Sequence, residues 1–277
     1  MLMRRKRIIV ILMLFMLFEG LCLSSVSSAT FLKPQVEVGD YWNYEGNYYG
    51  IPVTSTTTMT GRINITVDNE TYDVLVGFTT IYGEIEGTVS LHFNFTTYAR
   101  ISDYAVLKTV EHFNFSDINQ TIVLNYESIY SPPQDIMQYP IEVGETWQSQ
   151  YNVTKIDLGT KNISESSKIK YVECERSGAE SATGKVEFYC YVIKTTESED
   201  GQGSYTRMWI SPSVGREPVK TETYQNDQLI VSLQLLSYNI AQPVEPENGR
   251  DGTPSFELAL TICAIALVFF WKRKIMD

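Results

Sequence analysis

The strict alternation of apolar and polar residues constrains the fold of this chain more than any other feature. From Val89 to Phe95 every second residue is apolar, and similar stretches recur between Tyr41 and Asn239. Successive side chains of a strand point to opposite faces, so a period of two indicates strands with one buried face. Turn residues interrupt the pattern about every eight to twelve positions, which is typical of antiparallel strands. No long stretch has helical periodicity, so the sequence predicts an all-β fold.

A seven-residue phrase occurs twice in this region. The stretch Val36–Trp42 recurs as Ile141–Trp147, 105 positions later. Each copy places a glycine three residues before a tryptophan: Gly39 before Trp42, and Gly144 before Trp147. A buried indole supplies a large apolar area and needs an acceptor for its N–H group, so we expect both tryptophans at matching buried positions. The alternative is a chance similarity between two short apolar phrases.

The repeat divides the body into two related antiparallel β modules side by side, or into two halves of one sheet. We place the first module at residues 30–136 and the second at residues 137–240. The strand pattern allows either half-barrels or a sandwich-like arrangement, because both bury one face of each strand.

Both ends of the chain carry segments typical of export and membrane attachment. Residues 1–29 have a basic start, an apolar core and small residues before Thr30, which predicts a secretory signal peptide. An uncleaved N-terminal anchor is the alternative. Residues 241–254 form an acidic Pro/Gly linker, residues 255–271 predict a transmembrane or sorting-signal helix, and residues 272–277 a basic cytoplasmic tail. We therefore expect an ectodomain outside the cell, anchored at the cell surface by its C-terminus.

The C-terminal end resembles the sorting signal of archaeal surface proteins (PGF-CTERM), in which a Pro-Gly-Phe tripeptide precedes an apolar stretch and a basic cluster. The tripeptide here is Pro254, Ser255 and Phe256, so serine replaces the glycine. The resemblance implies cleavage by a membrane-embedded sorting enzyme and attachment to a lipid. The apolar run Leu258–Trp271 would make a helix about 21 Å long, shorter than a hydrocarbon core of about 30 Å. A permanent anchor that thins the bilayer locally is the alternative.

The exported region is strongly acidic. The whole chain has a formal net charge of −11, with 22 Lys and Arg against 33 Asp and Glu. Seven of the basic residues but only three of the acidic ones lie in the two end segments, which leaves residues 30–254 with a net charge near −15. Such a surface repels nucleic acid, which excludes a nucleic-acid partner.

Sequons of the form Asn-x-Ser/Thr are frequent in the same region. Seven occur within about a hundred residues, which indicates a glycosylated extracellular surface. Their asparagines are Asn64, Asn69, Asn94, Asn114, Asn119, Asn152 and Asn162.

Two cysteines, Cys174 and Cys190, lie in the exported body. The predicted strands 168–176 and 184–194 form a hairpin in which both cysteines lie on apolar faces, so a cross-strand pair is geometrically allowed. An even pair in an exported domain predicts a disulfide. A metal site built from two thiols is the alternative, but the sequence nearby supplies no histidine or further cysteine to complete a zinc set.

Further motifs connect the body to a known group of proteins. A group of archaeal surface proteins has motifs that resemble three stretches of this chain: the repeated phrase, Phe188–Tyr191 and Trp209–Gly215. Those proteins are distantly similar to the half-barrels of lipoprotein carriers. The resemblance implies a curved antiparallel sheet around an apolar cavity. A shared fold implies no shared activity.

The chain offers little for catalysis. Its two histidines, His92 and His112, share strand faces with sequon asparagines and are expected in solvent. Acid-rich turns could hold calcium or a hydrolytic carboxylate pair. The acids concerned are Glu84 and Glu86, or Glu197, Glu199 and Asp200. We predict no catalytic residue, no metal site and no cofactor.

Three classes of function fit these observations. The first is a membrane-anchored surface glycoprotein whose non-catalytic ectodomain binds a protein, an envelope polymer or an apolar ligand. The second is a structural component of the cell envelope, and the third is a surface hydrolase that uses carboxylates. An apolar cavity would favour the first, a packed core the second, and two converging carboxylates the third.

Overall fold

The computed structural model describes residues 30–85, 88–182, 186–197 and 203–240. All of them belong to one compact unit. The predicted signal peptide, the acidic linker, the C-terminal helix and the basic tail lie outside the described residues. Within the described residues, no helix is long and apolar enough to cross a membrane.

Twelve β-strands make up the described part of the chain, and their order in the sheet follows their order in the sequence. They are β1 (Tyr41–Tyr48), β2 (Ile51–Val67), β3 (Glu70–Ile85), β4 (Val89–Arg100), β5 (Val106–Asp117), β6 (Thr121–Gln134), β7 (Thr146–Asp157), β8 (Ile163–Ser181), β9 (Glu187–Glu197), β10 (Tyr205–Ile210), β11 (Lys220–Gln225) and β12 (Gln228–Asn239). The prediction of an all-β antiparallel fold is confirmed.

The sheet closes on itself into a barrel. The first strand pairs with the last, from Tyr41 opposite Asn239 to Tyr48 opposite Val231. Each of the twelve strands therefore has two hydrogen-bonded neighbours, and closure removes the free edges that an open sheet would expose. This corrects the expected half-barrel or sandwich-like arrangement. The two predicted modules are halves of a single sheet, and residue 136 falls between β6 and β7.

The alternation in the sequence separates the two faces of the barrel. In β2 the side chains of Ile51, Val53, Ser55, Thr57 and Met59 are buried, and those between them are more exposed. The buried set faces the interior, which we call the lumen. The same alternation holds in β1, where Trp42 and Tyr44 are buried and their neighbours are not.

The repeated phrase forms the same turn twice. At the first copy the Gly39 amide donates to the carbonyl of Met59, whose own amide donates to the carbonyl of Asp40. At the second copy Gly144, Cys174 and Glu145 make the same two hydrogen bonds. Both glycines have a positive φ, +100° at Gly39 and +87° at Gly144, which explains why a residue without a Cβ occupies each position.

The main core lies at the end of the barrel where β1 and β7 begin, which we call the lower end. Buried residues from the N-terminal segment, from β1 and from the β10–β11 loop pack there, including Val36, Trp42 and Val214. Phe31 exchanges backbone hydrogen bonds with Ile141 and so ties the N-terminal segment to the linker between β6 and β7. The main core and this tied N-terminal segment therefore lie at the same end of the barrel.

Barrel closure depends on a close backbone approach at Gly46. A Cβ atom built on Gly46 would lie 1.8 Å from the carbonyl oxygen of Ser232 on β12. Replacing Gly46 with alanine should push β1 away from β12 and lower the free energy of unfolding by about 1–3 kcal/mol, as overpacking does. Chemical denaturation of the variant measures the loss.

Gly61 supplies the matched control, because a Cβ atom there would meet nothing within 4 Å. Gly61→Ala should leave the denaturation midpoint unchanged or raise it slightly. Equal midpoints for Gly46→Ala and the unaltered chain would contradict the tight β1–β12 seam.

Candidate functional site

The strand register places two transverse rows of side chains on the lumen face of β2 to β6. One row runs Thr57, Thr79, Phe95, Glu111 and Tyr126, each residue directly opposite the next. The adjacent row runs Met59, Gly77, Thr97, Thr109 and Ser128. Residues directly opposite in a ladder share a face, so both rows point into the barrel.

These rows leave an unfilled space in the lower half of the lumen, because most of their side chains are small. Its volume is about 410 Å³. A barrel of eight strands is just filled by its own side chains, whereas twelve strands enclose a wider interior. We call this space the luminal cavity; it is lined by Thr57, Met59, Gly77, Thr79, Phe93, Phe95, Thr97, Val106, Thr109, Glu111, Gln134, Arg216 and Glu217.

An apolar wall continues upward from the cavity. Phe93 packs against Phe95, with ring centroids 5.3 Å apart, and edge-on against Phe113 at 6.0 Å. Further apolar residues from β1 to β5 and from β12 join this cluster around the buried side chains of Ile51 and Leu91. The wall therefore offers a continuous apolar surface on one side of the lumen.

The loop between β10 and β11 forms a charged floor beneath the cavity. Val214 and Gly215 are buried, and Gly215 has a φ of +88°, in the left-handed region that favours glycine. The chain turns at this point, and the next two residues, Arg216 and Glu217, line the cavity. The loop is fixed further along, where the Val219 amide donates to the carbonyl of Trp209 over 2.7 Å.

Trp42, the tryptophan of the first repeat, holds this loop in place. Its side chain is fully buried, and its indole N–H donates to the carbonyl oxygen of Val214 over 2.9 Å. Its ring also lies below Gly215, where a Cβ atom would come within 3.8 Å of it. The repeated phrase thus positions the two charged residues of the floor.

The two floor side chains have few partners of their own. The Arg216 guanidinium lies over the ring of Tyr104, with 5.3 Å from Cζ to the centroid. Within the described residues, no carboxylate forms an ion pair with Arg216 and no donor hydrogen-bonds to Glu217. Burial raises the pKa of the Glu217 carboxyl above its usual value, against the opposing effect of the Arg216 charge. Glu217 is half-buried and lines the cavity.

The opposite wall of the lumen is polar. Gln134 lines the cavity and donates from Nε2 to the Tyr151 hydroxyl over 2.6 Å. Tyr151 in turn donates to Glu197, which also accepts from Lys168 Nζ over 2.9 Å and lies 3.7 Å from Lys170 Nζ. The register places Lys168 opposite Tyr151, and Lys170 opposite Glu197, so all of them share the lumen face.

Burial and neighbouring charges have opposite effects on the pKa values of the polar wall. Burial lowers the pKa of Lys170 despite the nearby Glu197 carboxylate. Burial alone would raise the pKa of Glu197, but hydrogen bonds from Tyr151 and Lys168 lower it below its usual value. Because each charged group contacts an opposite charge, the wall is a self-paired network with less need of an outside partner than the floor.

Most of the predicted glycosylation sites lie on the surface. Six sequon asparagines are exposed: Asn64, Asn69, Asn114, Asn119, Asn152 and Asn162. The seventh, Asn94, is half-buried, and its side-chain oxygen Oδ1 is buried without a hydrogen-bond partner in the structure. His92 and His112 are both exposed, and His112 contacts Asn125.

The predicted Cys174–Cys190 disulfide does not form in this structure, where both cysteines are buried with free thiols. The predicted hairpin register was displaced: Cys174 lies opposite Ile193, and Cys190 lies opposite Gly178. Three residues of strand separate Ile193 from Cys190, about 10 Å at about 3.3 Å per residue. That distance exceeds the roughly 7 Å that a disulfide spans between Cα atoms.

The two repeat tryptophans differ in burial. Trp147 is half-buried, and its indole N–H donates to the carbonyl oxygen of Ile136 over 3.2 Å. Trp42 instead reaches a loop of the other half of the barrel. The turns match, but the environments of the two indoles do not.

Sequence reasoning missed the floor. Arg216 and Glu217 directly follow the motif Trp209–Gly215, which the sequence analysis related only to a group of surface proteins. A glycine followed by two charged residues was the feature that could have indicated them. Glu197 was assigned to an acid-rich turn, but it ends β9 and faces the lumen. In the described part of the chain, no group of three or more His, Cys, Asp or Glu side chains is arranged to hold a metal ion.

Comparisons with known proteins give structural matches only. No family model and no curated protein sequence matches the chain. A crystal structure of a proposed exported protein with a YmcC-like fold from Bacteroides fragilis matches at 14% identity and a TM-score of 0.39, covering 76% of this chain and 100% of that one. A proposed lipoprotein from Parabacteroides distasonis matches at 13% identity and a TM-score of 0.36, covering 76% and 99%.

The burial of Trp42 predicts a larger energetic role than that of Trp147. Trp42→Ala should lower the free energy of unfolding by about 3–5 kcal/mol, as for other large core truncations. Trp147→Ala should have about half that effect, because less apolar area is lost. Trp42→Phe should still lower stability by about 1–3 kcal/mol, since the Val214 carbonyl loses its donor. Denaturation curves of the three variants test this order, and equal losses for the two alanine variants would contradict it.

The free buried thiols predict slow chemical modification. Burial raises the pKa of Cys174 to about 11 and that of Cys190 to about 12. Because the thiolate is the reactive form, iodoacetamide should leave both unmodified in the folded protein and modify both after unfolding without a reductant. Peptide mapping that finds the two sulfurs joined would contradict the structure.

Proposed function

We propose that the barrel is a non-catalytic binding module that holds a small amphipathic molecule in its luminal cavity. The observation that carries the proposal is the cavity itself, about 410 Å³ in volume, with an apolar wall on one side and charged residues on its floor. Ligand pockets typically occupy about 300–1,000 Å³ and combine apolar walls with a few polar groups, so the cavity suits a small ligand.

The cavity also favours the binding role over a structural one. A barrel that served only as a structural envelope component would gain stability by filling its interior, because each unfilled space forfeits packing contacts. Here Gly77 and three threonines, Thr57, Thr79 and Thr97, occupy lumen positions where larger apolar residues would fit the pattern.

The proposal places the barrel outside the cell, attached to the membrane by the C-terminal segment. The basic and apolar start of the chain supports export. The six exposed sequon asparagines support it as well, because attached glycans need surface positions. An envelope polymer is too large for the cavity and could engage only the outer surface.

A carboxylate hydrolase is the second candidate, and one observation favours it. Glu111 and Glu217 line the same cavity, and burial raises the pKa of Glu217, as in a general acid. Glu111, however, accepts a hydrogen bond from the adjacent Thr109 over 3.2 Å. Glu217→Gln should leave ligand binding intact under the binding proposal. Turnover of a glycoside that disappears in this variant would favour the hydrolase.

Filling the cavity should abolish binding. Gly77 faces the lumen, and a Cβ atom there would lie 3.4 Å from the flexible end of Met59, so Gly77→Leu fits without a backbone clash. We expect the unaltered chain to bind one molecule of decanol, measured by calorimetry, and Gly77→Leu to weaken this binding at least about tenfold, the loss of roughly 1.4 kcal/mol of contact.

Gly61→Leu is the matched control, because its side chain would extend into open space outside the lumen. It adds the same apolar group to the neighbouring strand and should leave decanol affinity unchanged. Equal binding by the two leucine variants would place the ligand elsewhere and refute the luminal site.

A further inference from the structure

The charged floor of the cavity lacks the internal pairing found elsewhere in the barrel. The polar wall sets Lys168 and Lys170 against Glu197. Within the described residues Arg216 forms no ion pair and lies over the Tyr104 ring, although a guanidinium carries five donors. Arg216 is half-buried at the cavity floor. A partly desolvated charge without an ion-pair partner is stabilised by an opposite charge, which a ligand in the cavity can supply.

We propose that Arg216 binds the acidic head group of an amphiphilic ligand whose apolar part lies along the Phe93 and Phe95 wall. This inference rests on the proposed luminal binding function and specifies its ligand class. The head group is a carboxylate or a phosphate monoester, since both present paired oxygens to the guanidinium fork.

The loop geometry prepares Arg216 for this role. Gly215 turns the chain toward the cavity, and the Trp42 indole fixes the preceding carbonyl of Val214. Val219 pairs with Trp209 and Leu235 on the far side of the loop. A side chain held on such an anchored loop loses little freedom on binding, which favours affinity.

The aromatic surroundings orient the guanidinium. The Arg216 Cζ lies 5.3 Å from the centroid of the Tyr104 ring, a cation–π contact that holds the guanidinium beside this ring. Tyr104 is itself fixed, because its hydroxyl donates to the carbonyl of Pro34 over 2.9 Å. The guanidinium therefore contacts a ring whose own position is fixed.

The neighbouring acids determine which head groups are excluded. Glu217 and Glu111 also line the cavity and would favour an ammonium head if they controlled binding. Glu111 accepts a hydrogen bond from Thr109, and burial raises the pKa of the Glu217 carboxyl. Glutamine in place of Glu217 removes a carboxyl that disfavours an acid head, so this variant should keep the preference for the acid head or increase it.

Three probes with the same tail separate head-group recognition from simple apolar binding: decanoate, decanol and decyltrimethylammonium. Calorimetry on the purified full chain should show decanoate binding at least about tenfold more tightly than decanol, the size expected of a charge-assisted hydrogen bond. Arg216→Gln should reduce decanoate affinity to that of decanol while leaving decanol unaffected. Arg216→Lys should retain part of the preference, and Glu217→Gln should retain it.

Arg62→Gln is the matched control, because it removes one positive charge from an exposed position on β2. It should change none of the three affinities. A preference for decyltrimethylammonium that Glu217→Gln abolishes would overturn the proposal in favour of an ammonium ligand. Equal binding of decanoate and decanol would also overturn it while leaving the luminal function intact. Failure of every probe to respond to Gly77→Leu would refute both.

Discussion

The pairing of β1 with β12 is the contact on which the rest of the structure depends. An open sheet of twelve strands would expose two edges and have no interior, whereas closure creates both an apolar core and a lumen. The seam relies on the absence of a side chain at Gly46, where the backbone of Ser232 approaches closely. β1 also carries Trp42, so the strand that closes the barrel also positions the loop beneath the cavity.

Both halves of the barrel begin with the repeated phrase, but its tryptophan makes different contacts in each half. Gly39 and Gly144 make identical turns, with the same pair of hydrogen bonds to the following hairpin. Trp42 then reaches across to the β10–β11 loop, whereas Trp147 reaches only its own linker at Ile136. The lumen is correspondingly asymmetric, with an apolar wall formed largely by the first half, and a charged floor and a self-paired polar wall formed largely by the second.

The alternation of apolar residues was sufficient to predict the strands and their inward faces, as the Val89–Phe95 stretch of β4 illustrates. It could not predict closure, because a strand pairs in the same way at a seam and within an open sheet. It also misplaced Cys174 relative to Cys190, since the register shifts between Cys174 and Arg176 in β8. The periodicity could not predict the position of Arg216, because it identifies strand residues only. The role of this loop residue depends on the barrel that places it at the cavity floor.

If the lumen of the closed barrel is occupied, as proposed above, native mass spectrometry of the protein isolated from its native source should detect the occupant. The account predicts one noncovalently bound small molecule for each chain, retained under native conditions and released on unfolding. Its released mass should correspond to an acid-headed amphiphile. A native mass equal to that of the unfolded chain with its covalent modifications alone, across independent preparations, would contradict the account.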